Sequence, residues 1–407
     1  MQASGVHCGC RIVLALVLSG SLWRQPANAD QFTILNEGGE TIEVDARLTG
    51  SGQGLHALEL ADGQLLLVPQ RAVKKHEHTP DPEPLTGAAV AERLMEKFGN
   101  DRFFVHVEKP FVIGCVLTAP VGENRSEVQF KSLLKKGHRF MRSVQGMFLK
   151  FTRNVRVEAK PLKFPLVVLI FETDRRFNQY ARYVTGNQGL SAGNIAGFYD
   201  ALSNQLVLRM SECRTFDTPL HEAIHQQTYN REILQRLAPI PVWFNEGMAT
   251  GFEGDGERIR SGPRQVSGRY ARLALTARSV DWREIVRNDR AFQGDIFAGE
   301  AYGHAWGLHW LMVKKYRTKY IKYIQLLGQK KTLAIDEPEK RLKEFEETIG
   351  KNVAVLQREF YVTIASSLKR KRAAIGPRLS LNVFAMHSHS AGIKIREDTR
   401  LIAVRLR

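Results

Sequence analysis

The 407-residue sequence is short of several features that define whole classes of protein. It contains only four cysteines in 407 residues, far fewer than a disulfide-rich scaffold has. After the N-terminal segment no stretch is long and apolar enough for a membrane helix, and there is neither an internal repeat nor a nucleic-acid motif. The composition is not that of a coiled coil, a collagen or a wholly disordered chain. The length therefore allows one large globular domain and a smaller one.

Residues 1–29 have the features of a signal peptide that is removed on export. Arg11 supplies a sparse positive region, residues 12–18 form a short apolar stretch, and Ala27 and Ala29 form a small-residue cleavage site. The apolar stretch is too short to span a bilayer, although an uncleaved anchor is the alternative. We therefore expect an exported protein that is periplasmic, extracellular or associated with the cell envelope.

Export changes the interpretation of the cysteines and of the charge. Cys8 and Cys10 would leave with the signal peptide, and Cys115 and Cys213 then either pair or are two separate buried thiols. The formal net charge is +17, which favours acidic partners such as an anionic envelope polymer, lipid head groups or an acidic protein substrate. Nucleic acid is a poor match because the chain is exported and carries no nucleic-acid motif.

The segment that follows the signal peptide predicts a small all-β domain over residues 30–75. Its β-rich stretches are separated by glycine-containing turns. Residues 76–86 contain three prolines and are interpreted as a semi-rigid linker. His76 and His78 could bind a metal, but a solvated linker is the preferred interpretation because no nearby residue completes a coordination shell.

Residues 87–375 predict a larger α+β domain, with a sheet followed by a mainly helical half. The spacing of apolar residues is helical in two early segments, and a continuous apolar run is typical of a buried strand. The expected helices cover residues 88–98 and 128–151, and the expected strands lie within residues 103–117, 166–171 and 196–208. The alternating tail, residues 376–407, could add further strands.

The main chemical signal is the segment His221-Glu222-Ala223-Ile224-His225. Residues four apart lie on one face of a helix, so two imidazoles can reach the same metal ion. Glu222 can accept a proton from a water molecule at that ion without being a ligand. Glu246 follows after enough residues for a turn and a second helix, and it would supply a third ligand. Three protein ligands leave a fourth position for water, as a catalytic zinc requires.

Together, the His-Glu-x-x-His segment and the later Trp-x-Asn-Glu-Gly-x-Ala segment resemble those of the gluzincin zinc metallopeptidases. The second segment is similar to that of membrane alanyl aminopeptidases and of peptidase-like domains in bacterial exported proteins. The resemblance covers roughly residues 160–320. It implies a thermolysin-like domain with one Zn²⁺ per chain, held by His221, His225 and Glu246, and with Glu222 as the general base.

Four further residues are candidates for supporting roles. Thr250 and Glu253 lie four and seven positions after Glu246 on the same helical face, and Glu253 is the preferred hydrogen-bond partner for a ligating histidine. Gluzincins take a donor to the developing oxyanion from a Tyr or His further along the chain. Here Tyr302 and His304 offer both, and the resemblance to aminopeptidases favours Tyr302.

The strand before the zinc helix should bind the substrate backbone by edge pairing. The candidate residues are Gly193, Asn194, Ile195, Ala196 and Gly197. This segment departs from the Gly-x-Met-x-Asn motif with which aminopeptidases hold a free amino terminus. We therefore expect an exported zinc-dependent hydrolase of peptide or protein substrates, acting through a zinc-activated water, with endopeptidase action preferred. The alternative is a catalytically weak or inactive peptidase-fold protein that acts as an envelope binding or scaffold module.

Overall fold

The computed structural model describes residues 28–36, 38–121, 127–185, 196–214, 217–253, 262–277, 279–292 and 298–375. Its architecture is α+β, with two five-stranded sheets and a large helical half. This confirms the α+β part of the predicted fold class. All but the last two residues of the predicted signal peptide, and the whole of the tail 376–407, lie outside the described residues.

The first sheet is formed by the small N-terminal unit and is entirely antiparallel, in the order β4-β3-β2-β1-β5. Alternation of side chains places Phe32, Val44 and Leu58 on one face, where they form a small core. The strands are β1 (Asn28–Leu35), β2 (Thr41–Gly52), β3 (Leu55–Glu59), β4 (Leu65–Pro69) and β5 (Val73–Pro80).

Strand β5 contains part of the segment that we interpreted as a linker. Residues 76–80 pair with β1, so the linker prediction is wrong for these five residues. Most of β5 is exposed, and backbone pairing at the sheet edge gives no apolar pattern in the sequence. Pro80 ends the edge strand, where proline is tolerated in a sheet.

The second sheet lies in the main domain and has the order β6-β7-β8-β10-β9. Strands β7, β8 and β10 are mutually parallel, and the two outer strands are antiparallel to their neighbours. Every residue of the three parallel strands is buried, as expected for continuous apolar runs. The strands are β6 (Phe103–Glu108), β7 (Phe111–Val116), β8 (Leu166–Phe171), β9 (Gly197–Asp200) and β10 (Gln205–Arg209).

Helices cover both faces of this sheet. Helices α1 (Gly87–Phe98) and α3 (Asp174–Thr185) pack on one face, and α2 (Glu127–Asn154) packs on the other together with the helical half. The helical half consists of α4 (Asp217–Asn230), α5 (Val242–Phe252), α6 (Gly268–Thr276), α7 (Trp282–Arg287), α8 (Ala298–Lys315), α9 (Arg317–Gly328), α10 (Pro338–Ile349) and α11 (Val353–Ile375).

Helix α8 runs through the centre of the helical half. Its residues 301–313 are all buried, so it lacks the polar face of a surface helix. Trp306 and Trp310 belong to the core around it. No helix among the described residues combines the length and the apolar character needed to cross a membrane. Cys115 and Cys213 are free thiols, of which Cys115 is buried and Cys213 is partly buried, so the two cysteines do not pair.

The small sheet is docked on the main domain through polar contacts and through a small apolar cluster. The Glu59 carboxylate, only 6% exposed, accepts from Arg236 of the main domain at 2.8 Å and from Lys163 at 3.0 Å. The side-chain amide of Gln53 donates to the carbonyl of Leu333 at 3.1 Å. A Cβ on Gly52 would lie 2.3 Å from that same carbonyl oxygen, so only glycine permits the backbone at position 52 to lie this close to Leu333.

Candidate metal centre

The two histidines of the His-Glu-x-x-His segment lie one turn apart on α4, as the spacing predicts. Their Nε2 atoms are 3.1 Å apart, and their side chains are only 3% and 4% exposed. Ala223 and Ile224, between them, are buried in the main core. Gln226 donates to the carbonyl of Val167 in strand β8 at 2.9 Å. The sheet therefore fixes the rotation of α4 about its axis, and with it the direction of both imidazoles.

Helix α5 brings Glu246 to the same point. Its Oε2 lies 2.9 Å from His221 Nε2, and its Oε1 lies 3.6 Å from His225 Nε2. Glu246 is completely buried. Three side chains that are distant in sequence thus present two nitrogens and a carboxylate to one small volume, and this buried group could hold a metal ion.

Close packing of α8 against α5 positions Glu246. A Cβ on Gly247 would lie 2.6 Å from the carbonyl oxygen of Ala305, and one on Gly251 would lie 3.0 Å from His309 Nε2. Two glycines one turn apart therefore form the contact face of α5. The glycine that follows Glu246 in the motif is explained by this approach of α8.

The donor set fits a divalent transition metal. Glu246 Oε1 is buried and has no hydrogen-bond partner among the described residues. Two imidazole nitrogens that face each other at 3.1 Å can share only one proton. A cation bound by both nitrogens and the carboxylate would satisfy all three groups. Two imidazoles and a carboxylate are ligands of catalytic zinc sites.

Glu253 connects this group to a second layer of hydrogen bonds. His221 Nδ1 bonds to Glu253 Oε1 at 2.7 Å, and the Tyr270 hydroxyl donates to Glu253 Oε2 at 2.6 Å. Arg269 lies 3.7 Å from the same oxygen. A carboxylate on Nδ1 leaves Nε2 of His221 as the lone-pair nitrogen that faces the metal position. The geometry is the one expected for the predicted partner of a ligating histidine.

Thr250, the other candidate for a supporting role on α5, forms its hydrogen bonds within its own helix. Its hydroxyl donates to the carbonyl of Glu246 at 2.7 Å and also contacts the carbonyl of Gly247 at 3.2 Å. A buried hydroxyl on a helix finds its acceptor within its own helix. Thr250 therefore bonds within α5, to the backbone of Glu246 and Gly247, and not to a ligating histidine.

Glu222 is buried beside the metal group and is held by the sheet. Its Oε2 accepts from the backbone N–H of Tyr199 at 2.8 Å. Its Oε1 has no hydrogen-bond partner among the described residues. One oxygen is therefore anchored to strand β9, and the other is available to a proton donor inside the site.

Burial and nearby charge pull the pKa values of this group in opposite directions. Burial raises the pKa of Glu222, and His221 and His225 only partly offset it. Burial would also raise the pKa of Glu246, but His225 and His221 outweigh it and the pKa is lowered. Burial would lower the pKa of His221, but Glu246 and Glu253 raise it well above its usual value. Glu246 and Glu253 thus favour a positive charge beside His221, which a metal ion can supply.

Tyr302 lies near the metal group. Its ring centroid is 6.3 Å from that of His221 and 5.8 Å from that of Phe292. The side chain is 8% exposed. Tyr302, near the start of α8, therefore lies beside a predicted metal ligand, as its candidate role requires.

His304 faces a different region, and its predicted catalytic role is wrong. Trp282 Nε1 donates to His304 Nδ1 at 2.9 Å, and His304 Nε2 donates to the carbonyl of Ala277 at 2.7 Å. Both ring nitrogens are therefore engaged in the core between α6, α7 and α8. Burial lowers the pKa of His304, against the effect of the Ala277 bond. Residues two apart on a helix point to nearly opposite sides, so Tyr302 and His304 cannot both face the site.

The predicted substrate strand is described only in part. Gly193, Asn194 and Ile195 lie outside the described residues. The carbonyl of Ala196 accepts from the backbone of Arg209, and Gly197 begins strand β9 opposite Leu208. Strand β9 is the edge of the second sheet. Gly197 therefore lies on an outer strand, where a substrate backbone could pair with it.

The hydrogen bonds that two residues make at the centre were not predicted from the sequence. Tyr270 supplies the hydroxyl that binds Glu253, and Tyr199 supplies the N–H that binds Glu222. Neither stands at a fixed spacing from the His-Glu-x-x-His segment, and a backbone donor has no side-chain signature. No signal in the single sequence could have identified them.

Residues 216–334 match the model of a family described as a protein of unknown function (DUF1570). The matched segment runs from α4 to α9 and includes the whole group formed by His221, His225 and Glu246. No curated protein matches the chain. The family description names no activity, so the gluzincin resemblance stays a prediction.

Proposed function

We propose that the protein is a zinc-dependent peptide hydrolase with a thermolysin-like, gluzincin-type domain. The observation that carries the proposal is the convergence of His221, His225 and Glu246 beside a buried carboxylate, Glu222. A structural zinc site is closed by four protein ligands and needs no base. Three ligands and an adjacent free carboxylate oxygen are what a hydrolase requires.

A zinc ion held by these three ligands would act as a Lewis acid that lowers the pKa of a water molecule and polarises a carbonyl. Glu222 Oε1 accepts the proton from the attacking water, because it is the carboxylate oxygen that has no other partner in the described part of the chain. The same carboxyl then returns the proton to the leaving amine.

Tyr302 is the proposed donor to the developing oxyanion. Its ring lies beside His221, and a phenol can donate a hydrogen bond at the point where negative charge forms. His304 is excluded from this role because both of its ring nitrogens are engaged elsewhere. The oxyanion role therefore falls on one side chain of α8.

The outer edge of β9, which pairs with no other described strand, is the proposed binding site for the substrate backbone. The Tyr199 N–H points away from β10 and towards Glu222. Along an antiparallel strand, N–H groups alternate in direction, so the N–H of Gly197 faces the same outer side. An extended peptide can add to such an edge and would then run past Glu222. Backbone pairing does not require a free terminus, which supports endopeptidase action.

Export and an anionic partner are further proposals, supported by the sequence alone. The first 29 residues have the pattern of a signal peptide. The net charge of +17 favours anionic envelope polymers or lipid head groups near the protein.

The test is cleavage of a peptide library and an unfolded protein by the purified chain, with zinc measured on the same samples. Glu222→Gln should lower cleavage by more than about a hundredfold, because the amide keeps the shape but cannot accept a proton. Its zinc content should stay that of the wild type. The matched control is Glu232→Gln, an exposed carboxylate just beyond α4, which should cleave normally.

Full activity of Glu222→Gln would assign the base to another residue. Absence of cleavage by a zinc-loaded wild type, over the whole library, would support the alternative of an inactive envelope binding or scaffold module. Failure to take up zinc at His221 and His225 would overturn the proposed centre itself.

A further inference from the structure

The small N-terminal sheet contains a second group of metal-ligating side chains. Asp30 Oδ1 lies 2.8 Å from His76 Nε2 and 2.6 Å from His78 Nδ1. The two imidazole centroids are 4.7 Å apart. One carboxylate and two imidazoles thus meet within metal-ligating range, far along the chain from the centre on α4 and α5.

Strand register brings these three residues together. His76 and His78 are two positions apart on β5, so their side chains lie on the same face of the sheet. Asp30 on β1 stands directly opposite His78, and Phe32 stands opposite His76. The His76 ring stacks on Phe32 with centroids 4.5 Å apart and an interplanar angle of 14°. The backbone ladder and this stacking hold the donors in place without any metal.

The exposure of the donors suits a site that an ion can enter from solvent. The Asp30 side chain is 7% exposed, whereas those of His76 and His78 are 32% and 71% exposed. A carboxylate this buried is stabilised by a cationic partner. The two imidazoles lie between that carboxylate and water, on the path that a dissolved ion would take.

We propose that Asp30, His76 and His78 form a second metal site, which binds a divalent transition-metal ion such as Zn²⁺. Imidazole nitrogens favour zinc, copper or nickel over Mg²⁺ and Ca²⁺, which prefer oxygen ligands. Donor atoms around a tetrahedral zinc lie about 3.3 Å apart. The exposed His78 side chain can make the small outward shift that this spacing requires.

Binding here would join the first strand of the small sheet to its last strand. Asp30 stands on β1, and both histidines stand on the edge strand β5. Three protein ligands leave at least one coordination position to solvent. The site is thus chemically similar to the buried centre but open, and the two can be removed independently.

The test is a Zn²⁺ titration of the full chain by calorimetry, with bound zinc counted by elemental analysis after removal of any purification tag. Wild type should bind two equivalents. His76→Ala/His78→Ala should bind one fewer, and Asp30→Asn should weaken that equivalent at least about tenfold. The matched control is Glu77→Gln, whose side chain lies between the two histidines on the opposite face of β5 and pairs with Lys75. It should titrate like the wild type.

Equal zinc binding by wild type and His76→Ala/His78→Ala would overturn the proposal, because the three side chains would then form only a hydrogen-bonded group. His221→Ala/His225→Ala separates this result from the buried centre. That variant should keep the equivalent that His76 and His78 provide, even if the buried centre binds no metal and the proposed hydrolase fails.

Discussion

The backbone N–H of Tyr199 donates to Glu222 Oε2 at 2.8 Å. Tyr199 belongs to the edge strand β9, and Glu222 belongs to the helix that carries both histidines. The bond therefore links the edge that would bind substrate to the residue that would take its proton. A substrate paired along β9 would be held at a fixed distance from Glu222. The register of this pairing would then decide which peptide bond lies beside Glu222.

This relationship leads to a prediction about substrate ends. Backbone pairing along β9 needs chain on both sides of the scissile bond and no free α-amine. Acetylation of the substrate amino terminus should therefore leave the rate of cleavage unchanged within about twofold. Mass spectrometry of products from matched free and acetylated peptides measures this. Loss of cleavage on acetylation, with residues released one at a time, would identify an aminopeptidase.

Glu253 and Thr250 should differ sharply in their effect on metal affinity. Glu253→Gln weakens the carboxylate bond to His221, and loss of such a partner costs about ten- to a hundredfold in affinity. Thr250→Val removes a hydroxyl that bonds only to its own helix, and affinity should stay unchanged. Competition with a chromophoric chelator gives both values. Equal losses in the two variants would mean that the effect comes from the packing of α5.

Substitution of Tyr302 should lower catalysis, whereas substitution of His304 should lower stability. Tyr302→Phe should lower kcat about ten- to a thousandfold with little change in KM, as expected for a donor used in the transition state. His304→Ala leaves Trp282 Nε1 and the Ala277 carbonyl without their partner, at a cost of about 1–3 kcal/mol for each buried group. Its activity per folded molecule should stay normal. Kinetics and urea unfolding measure both effects. If His304→Ala lowered kcat and Tyr302→Phe did not, the oxyanion role would fall to His304.

Glu59 should make the stability of the protein depend on acid pH. Burial would raise the pKa of Glu59, but Arg47, Arg236 and Lys163 outweigh it and the pKa is lowered from 4.5. A lowered pKa in the folded state stabilises the protein above pH 4.5, and this contribution is lost as the pH falls through the folded-state value.

Glu59→Gln should therefore reduce the free energy of unfolding by about 2 kcal/mol at pH 7 and by less at pH 3. Urea unfolding at both pH values measures the difference. Glu43→Gln, an exposed carboxylate of the same sheet, should have little effect at either pH. An equal loss for Glu59→Gln at both pH values would show that the lost contacts do not depend on the carboxylate charge.

Sequence alone determined the elements and contacts that depend on local spacing. The buried strand at 166–171 and the helix that carries His221 and His225 were predictable, because strand burial and the four-residue helical repeat are local properties of the chain. Glu246 was predictable as a third ligand because the segment after His225 is long enough for a chain turn and a second helix. The α+β class followed from the order of these elements along the chain.

Tertiary structure decided which of several similar residues serve the site. Helix α5 ends at Phe252, and Glu253 has an extended backbone there, with φ −67° and ψ 127°, so its carboxylate turns towards His221 while Thr250 stays within the helix. Packing of α8 directs Tyr302 to the histidines and His304 to Trp282. In the small sheet, strand pairing brings Asp30 to His78 across 48 positions. Such contacts arise from the packing of distant elements, and no short pattern in the sequence encodes them.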